Sequence, residues 1–385
     1  MASMKVALVH DWLTGMRGGE KCLEVFCELF PDADLYTLFY IPDRVSPIIR
    51  SMNVRASWLN RLPGVERYYR YGLPVFPTAV KGFALKDYDL ILSSSHCVAK
   101  GVFPGGAPHI SYIHSPMRYI WDLHGAYFGA GASWAARLGM ALCRGYLQRW
   151  DRRSAQSVDW FVANSRHIAA KIKRLYGREA EVIYPPVDLD RFHIGAQREN
   201  FHLIVSALVP YKNIQAAIAA FNQLRLPLKI VGEGPLRKPL EKQAGGSVEF
   251  LGWVDDAKLA ELYAACEALI FPGEEDFGIT PLEAQASGRP VIAYGKGGVR
   301  ESVIGIDEND RGADATGIFF AEATAESLRI AVERYHQIKH RFEPAALRRH
   351  ASGFSRALFK ARMKQWIEEK LRQPSGFPRN HAETA

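Results

Sequence analysis

Ile183-Tyr184-Pro185-Pro186-Val187-Asp188 interrupts an otherwise regular pattern. Two consecutive prolines cannot continue a helix, and they hold the residue before them extended. On both sides of this break, short apolar runs alternate with helical patterns. Before it, residues 5–9, 89–92, 110–113 and 160–163 read as buried strands, with helical segments such as 20–30 and 166–176 between or after them. After it the pattern restarts. Strands are expected at 203–208, 228–231, 248–251, 268–271 and 290–293, and helices at 213–224, 257–265 and 281–287. Apolar strands alternating with helices predict parallel sheet covered on both faces. The expected fold class is therefore α/β, with two doubly wound Rossmann-like domains, 1–185 and 186–354. Ligands of such sheets bind outside the carboxyl ends of the strands, here expected in a cleft between the domains.

A chain of 385 residues, 48% hydrophobic and 23% charged, has ordinary globular composition and enough length for two cores. The net charge of +8 favours an anionic partner without choosing among phosphates, nucleic acid and lipid headgroups. No recognised nucleic-acid module accompanies that charge, so nucleic acid is not expected as a partner. Five scattered cysteines without a C-x-x-C pair point away from a disulfide framework and towards a reducing, cytoplasmic location. The opening MASMKVALVH reads as a first strand rather than a signal peptide. The small, apolar stretch 125–143 contains Arg137 and several glycines and does not meet the requirement for a membrane span. The final PSGFPRNHAETA, 374–385, reads as a frayed tail, which the expected boundaries place at 373–385.

The motif richest in chemistry is Phe271-Pro272-Gly273-Glu274-Glu275-Asp276-Phe277-Gly278-Ile279-Thr280-Pro281-Leu282-Glu283. A strand ends near Phe271, a loop carries three acids, and a helix is expected to open at Pro281, a favoured first helical position. Thr280 reads as its N-cap, with Glu283 completing a capping box. The amides around Gly278–Thr280 and the helix dipole would favour a phosphate. Glu275 has no such local role.

Glu275 and Glu283 have the E-x7-E spacing of the retaining family-4 glycosyltransferases, and this segment resembles their E-x-F-G-x-x-x-x-E element. Other segments resemble that family in the same order. These are Gly15 to Glu20 (GMRGGE), Asn164-Ser165, Leu208 to Lys212 (LVPYK), Gly232-Glu233-Gly234-Pro235 and Leu251-Gly252-Trp253-Val254. The likeness covers roughly residues 4–371. The opening VHDWLTGMRGGEK and Tyr112 to Asp122 (YIHSPMRYIWD) are most similar to bacterial mannosyltransferases of O-antigen and exopolysaccharide assembly.

The resemblance implies a GT-B fold, in which a C-terminal helix, here about 355–372, crosses back to the first domain. It implies transfer of a hexose, with retention and without a metal or other cofactor. The expected donor is a nucleotide-sugar, GDP-mannose in the narrower likeness, and the acceptor a lipid-linked oligosaccharide on the inner face of the membrane. Glu275 would contact the donor sugar, Glu283 the ribose, and Lys212 the diphosphate. Phe277, Gly278, Ile279 and Thr280 would complete the donor cradle, Glu233 would lie near the base, and Gly18 and Gly19 would approach the diphosphate. His114 would lie near the donor hexose. The family commonly has an arginine five residues before the lysine, where this chain has Ala207. Arg17 and Arg118 are the cations offered in its place. Donors with a UDP-hexose, or a subunit that binds nucleotide-sugar without turnover, remain open.

Other chemistries fit less well. A glycosidase would need its two carboxylates to flank one bond. The Asp188-Leu189-Asp190 match to a metal-binding D-x-D lacks His or Cys neighbours and reads as a turn. The first strand is followed by G-x-x-G-G rather than the dinucleotide G-x-G-x-x-G. Segments 61–70 and 134–153 mix arginine with aromatic and aliphatic residues. The second reads as an amphipathic helix with Trp134, Leu138, Leu142 and Leu147 on one apolar side, suited to an anionic membrane surface.

Overall fold

A computed structural model describes residues 4–64, 69–122, 134–306 and 314–372. The segments 65–68 and 373–385, which include part of the basic segment 61–70 and the expected tail, lie outside the described residues. So do the side chains of 69–71 and 134–136. The chain divides into two compact units: 1–164 with 168–183 and the residues from 359 on, and 165–167 with 184–358.

Among the described residues the first unit holds seven parallel strands: β1 (Val6–His10), β2 (Asp34–Thr37), β3 (Asn53–Ala56), β4 (Leu90–Ser95), β5 (His109–Ile113), β6 (Trp160–Ala163) and β7 (Ala180–Val182). Their order is β3-β2-β1-β4-β5-β6-β7. The chain winds outward from β1, then returns to lay β4 on the other side of it. The space beyond the carboxyl ends of β1 and β4 is therefore the topological switch point where such sheets take ligands. Alternation along the strands builds a core on each face. Ala7, Val9 and Ile91 face one cluster. Val6, Leu8, Leu90, Leu92 and Tyr112 face the other, which the helix Gly18–Leu29 fills with Cys22, Leu23 and Phe26. The last helix, Arg356–Arg372, adds Phe359, Met363 and Ile367 at helical spacing to that second cluster.

The second unit repeats the plan: β8 (His202–Val205), β9 (Leu228–Val231), β10 (Val248–Gly252), β11 (Leu269–Phe271), β12 (Val291–Tyr294), β13 (Gly305–Ile306) and β14 (Gly317–Phe320). The order is β10-β9-β8-β11-β12-β14-β13, again parallel, with the switch point between β8 and β11. Ile204, Ile230, Ile270, Ile292 and Ile318 face one cluster. Leu203, Leu269, Val291 and Ala293 face the other. The doubly wound α/β expectation holds in both units. Strands β2, β3, β7, β13 and β14 were not expected. They are two to four residues long, and β3 (Asn53-Val54-Arg55-Ala56) is an exposed edge without a buried face. Pairing with a neighbour, rather than periodicity, makes them strands.

The helix Trp134–Ser154 requires a correction. Its expected single apolar side does not exist. Leu147 is buried with Met140 and Trp150, whereas Leu138 and Leu142 are 53% and 75% exposed. Leu147 does not share a face with Leu138 and Leu142, because the five-residue step from 142 to 147 advances well past one turn of 3.6 residues. Asp188-Leu189-Asp190 lies at the short 3-10 turn Leu189–Arg191. None of the five cysteines is in a disulfide. No helix among the described residues is long and apolar enough to cross a membrane.

Each unit also buries a neutral histidine in its sheet. His109 of β5 receives or gives a hydrogen bond at Ser93 Oγ, 2.8 Å away. His202 of β8 packs against Phe221 and Tyr335. Burial pushes both down to about 3, from 6.5. Between those values the unfolded chain binds a proton that the folded chain refuses. Stability must therefore fall as pH drops below about 6.5, by about 1.4 kcal/mol per pH unit for each histidine. Urea unfolding from pH 7.5 down to 5 should show this loss. In His202→Phe, which keeps the ring shape and removes the proton site, the second unit should lose the larger part of its slope.

Candidate active site

In the second unit the acidic loop leaves β11 and reaches the helix Ile279–Ala286. Glu275 forms an ion pair with Lys212 Nζ, both side chains being largely buried. Lys212 ends the short turn Pro210–Lys212 that follows β8. The two loops beyond β8 and β11 therefore meet at the switch point. Gly273 allows this, since a methyl group there would stand 2.8 Å from Lys212 Cα. A third loop holds the acids from the far side. Gly298 N–H donates to the Glu275 carbonyl at 2.8 Å, and Gly297 bridges to Glu275 with φ 82°. Any side chain at Gly298 would run into the Asp276 carbonyl. Lys296 Nζ reaches Glu274 at 3.3 Å. The run Gly295-Lys296-Gly297-Gly298 was not among the expected site residues, although its glycine density was visible in the sequence. Gly298→Ala should displace the acid loop and lower turnover without unfolding the unit, which kinetics and a thermal melt together would read.

Two expectations for this loop are corrected. The helix opens two residues before Pro281, at Ile279, and its N-cap is Gly278 with φ 93°. Thr280 is thus inside the helix, and Glu283 closes no capping box. Instead Glu283 Oε2 accepts the Tyr263 hydroxyl at 2.8 Å. Backbone at φ 93° and ψ 85° favours glycine, so the turn rather than a hydroxyl sets the helix start. The Phe277 side chain faces the core, which leaves its backbone for a donor. It is buried with Val187, Leu282 and Phe354 and stacked on Tyr184, ring centroids 5.5 Å apart. Glu233, after β9, is exposed and paired with Arg237. Trp253, beside Gly252, is 78% exposed.

In the first unit, Gly18 and Gly19 open the helix Gly18–Leu29, and Arg17 is its N-cap. The Arg17 amide donates to Glu20 Oε2 at 3.0 Å. A methyl group at Gly19 would lie 3.5 Å from His10 Cε1 and 3.6 Å from His114 Nε2. His114 follows β5 and is half-buried. Burial, then His10 and His96, hold it well below the ordinary imidazole range, with Arg118 adding to the effect, so its ring is neutral near pH 7. Burial pushes His96 down to about 3, and His10, Arg118 and Arg17 act in the same direction. Arg17 and Arg118 thus both act on this strand end. Sequence reasoning passed over Asp11, which organises the site. Its carboxylate accepts the backbone N–H groups of His96, Cys97, Val98 and Ala99 at 2.6–2.9 Å and lies 3.2 Å from His96 Nδ1. The signal was present: His10-Asp11 after an apolar strand, and Ser93-Ser94-Ser95-His96 at the end of β4.

Residues 25–191 match the family model described as Glycosyltransferase Family 4, and residues 187–346 match Glycosyl transferases group 1. The chain belongs to the family-4 glycosyltransferases of the GT-B fold. Among curated relatives, it is 30% identical over 164 residues to O-antigen chain mannosyltransferase C of Escherichia coli, covering 38% of this chain and 44% of that protein. The chain thus spans under half the length of that relative. It is 32% identical over 280 residues to the GDP-mannose-dependent alpha-mannosyltransferase of Mycolicibacterium smegmatis, covering 68% of this chain and 66% of the relative. Among solved structures, HepE of Anabaena in complex with UDP and glucose superposes with a TM-score of 0.68 and 19% identity, over 96% of this chain and 100% of that one. At that identity the likeness is one of fold.

Proposed function

We propose that this family-4 member is a retaining, metal-independent hexosyltransferase. It would move mannose from GDP-mannose to a lipid-linked saccharide during cell-surface polysaccharide synthesis. The observation that carries the reading is the meeting of Lys212 and Glu275 at the β8–β11 switch point, beside the amino end of a helix. The first amides of that helix have no partner within it and suit an anion. Lys212 supplies a point charge for the diphosphate, and Glu275, exchanging its lysine for sugar hydroxyls, orients the hexose. Gly278, Ile279 and Thr280 offer backbone amides, Gly18 and Gly19 do so in the first unit, and Glu283 faces the ribose. Arg17 and Arg118 supply the cation that Ala207 lacks.

The chemistry then needs positioning and charge rather than a strong base. The bond from the anomeric carbon to the phosphate oxygen breaks, the bond to the acceptor oxygen forms on the same face, and the acceptor proton passes to the leaving phosphate. Mannose and guanine are supported by the two mannosyltransferase relatives. A UDP-hexose donor is the second reading, favoured by the HepE complex.

A place at the inner membrane surface is supported by the outward stripe of Leu138, Leu142 and Tyr146, with Arg137, Arg149, Arg152 and Arg153 also exposed on the same helix. Apolar side chains flanked by arginines suit an anionic bilayer. Sedimentation with phosphatidylglycerol vesicles should carry the protein down, and Leu142→Ser should weaken that binding.

The direct test incubates the purified protein with GDP-mannose, UDP-glucose and UDP-galactose, with EDTA present, on lipid-linked saccharide extracts. Transfer from GDP-mannose, unaffected by EDTA, with an α-linked product by NMR, is the expected result. Inversion, dependence on a divalent ion, or transfer from UDP-sugars alone would each overturn the corresponding part.

A further inference from the structure

The helix Asp256–Ala265 brings a buried hydroxyl to the second of the two acids in the E-x7-E segment. Tyr263 is fully buried, and its ring stands edge-on to Phe192 with centroids 5.6 Å apart. Its hydroxyl donates to Glu283 Oε2 at 2.8 Å. Glu283 is half-buried, between the fully buried Leu282 and Ala284 of the helix Ile279–Ala286. It lies one turn after Ile279, about 6 Å along the axis, so the two residues share a face. A ribose joined to a phosphate at the amino end of this helix would carry its hydroxyls a few bonds away, within that span.

A glutamate side chain has several rotatable bonds, and ordering them around a ligand weakens binding. The Tyr263 ring has already lost its freedom to packing, so a bond from its hydroxyl passes that rigidity to the carboxyl group. A carboxylate has about four acceptor sites, and Tyr263 uses one of them, at Oε2. That oxygen can accept the bond in either charge state of Glu283. Burial, then the charge of Glu283 and this hydrogen bond, push the Tyr263 hydroxyl well above its ordinary range, so it keeps its proton and remains a donor.

We propose that Tyr263 is a positioning residue for Glu283, holding its carboxyl group where it receives hydrogen bonds from the donor ribose, and that this hold sharpens the preference of the site for a ribonucleotide over its deoxy forms. This rests on the reading of Glu283 as the ribose contact. A site built to receive a hydroxyl rejects the analogue that lacks it, because its buried polar group is then left unpaired.

Calorimetry of the full chain with GDP, 2′-deoxy-GDP and 3′-deoxy-GDP, and with the matching UDP series, reads that preference. For the base that binds, the parent protein should favour the ribonucleotide over at least one deoxy form by roughly ten- to a hundredfold. Tyr263→Phe keeps the ring and its packing and removes only the hydroxyl. It should weaken ribonucleotide binding about three- to tenfold and leave binding of that deoxy form unchanged, so the preference shrinks by the same factor. Glu283→Ala should abolish the preference. If Tyr263→Phe does not fold, Glu283→Asp reads the same hold, because the shorter side chain cannot both keep the Tyr263 bond and reach the ribose. An undiminished preference in Tyr263→Phe or Glu283→Asp overturns the proposal and leaves the reading of Glu283 standing. So does a loss in Tyr263→Phe shared equally by the two nucleotides, which a role in packing alone would give. No preference in the parent protein, a preference that survives in Glu283→Ala, or binding of neither diphosphate overturns the reading of Glu283 and the proposal with it.

Discussion

Lys212→Ala is expected to lower kcat/KM by roughly two to three orders of magnitude, the usual loss when one preorganised charge-stabilising group is removed from a transition state. The reason is local. In the proposed reaction negative charge grows on the diphosphate as the glycosidic bond breaks, and Lys212 meets the loop that leads into the Gly278-capped helix. In the free protein that lysine is paired with Glu275. Removing it therefore does two things: it deletes the proposed phosphate contact and leaves a largely buried carboxylate without its partner. Glu275→Ala should lose turnover on a similar scale while leaving Lys212 available to nucleotide, so donor-nucleotide affinity should survive better in it than in Lys212→Ala. Because the two side chains touch, the double variant should lose less than the sum of the singles. Steady-state kinetics on the four proteins, with nucleotide binding by calorimetry, would read this. Full turnover in Lys212→Ala or Glu275→Ala would remove the basis of the proposed mechanism.

The largest stability effect is expected at Asp11. Its carboxylate is buried and accepts four consecutive backbone N–H groups from residues 96–99. Alanine at this position leaves four donors facing a small cavity. A buried donor without a partner is unfavourable by about 1–3 kcal/mol. Even with water entering to satisfy some of them, a loss of about 4 kcal/mol is expected, which for a unit of this size lowers Tm by roughly 10 °C. Asp11→Asn keeps one acceptor oxygen, and its stability should fall between those of the parent protein and Asp11→Ala. The loop that Asp11 holds leads from β4 to Lys100, which is itself buried against Asp151 at 2.7 Å. Loss of the carboxylate should therefore loosen packing of the helix Trp134–Ser154 as well. A scanning melt and hydrogen exchange at 96–99 are the measurements, and an unchanged Tm would refute the assignment.

Much of the fold was legible because its long strands are buried on both faces. Strands such as Trp160–Ala163 and Leu228–Val231, and the helix Arg166–Tyr176, stand where the apolar runs put them. The helix after the acid loop shifted by two residues, because a glycine with φ 93° can cap a helix as well as a threonine hydroxyl can. In the site, the acids and the lysine were legible as residue types in a loop after a strand. Their partners were not. Glu275 finds Lys212 across 63 residues of sequence, and Glu283 finds Tyr263 on a neighbouring helix. Phe277 looked like part of a binding loop and proved to be core.

By itself the sequence determined two parallel α/β units and a loop of acids opening a helix. Strand and helix periodicity and glycine placement act over a few residues and are written in the local order. Only the tertiary structure decided that Tyr263 meets Glu283, that Asp11 binds a whole turn, and that Leu138 and Leu142 face outward. Those facts depend on register between strands far apart in the chain and on which side of a helix the rest of the unit covers. Neither is encoded in the spacing of neighbouring residues.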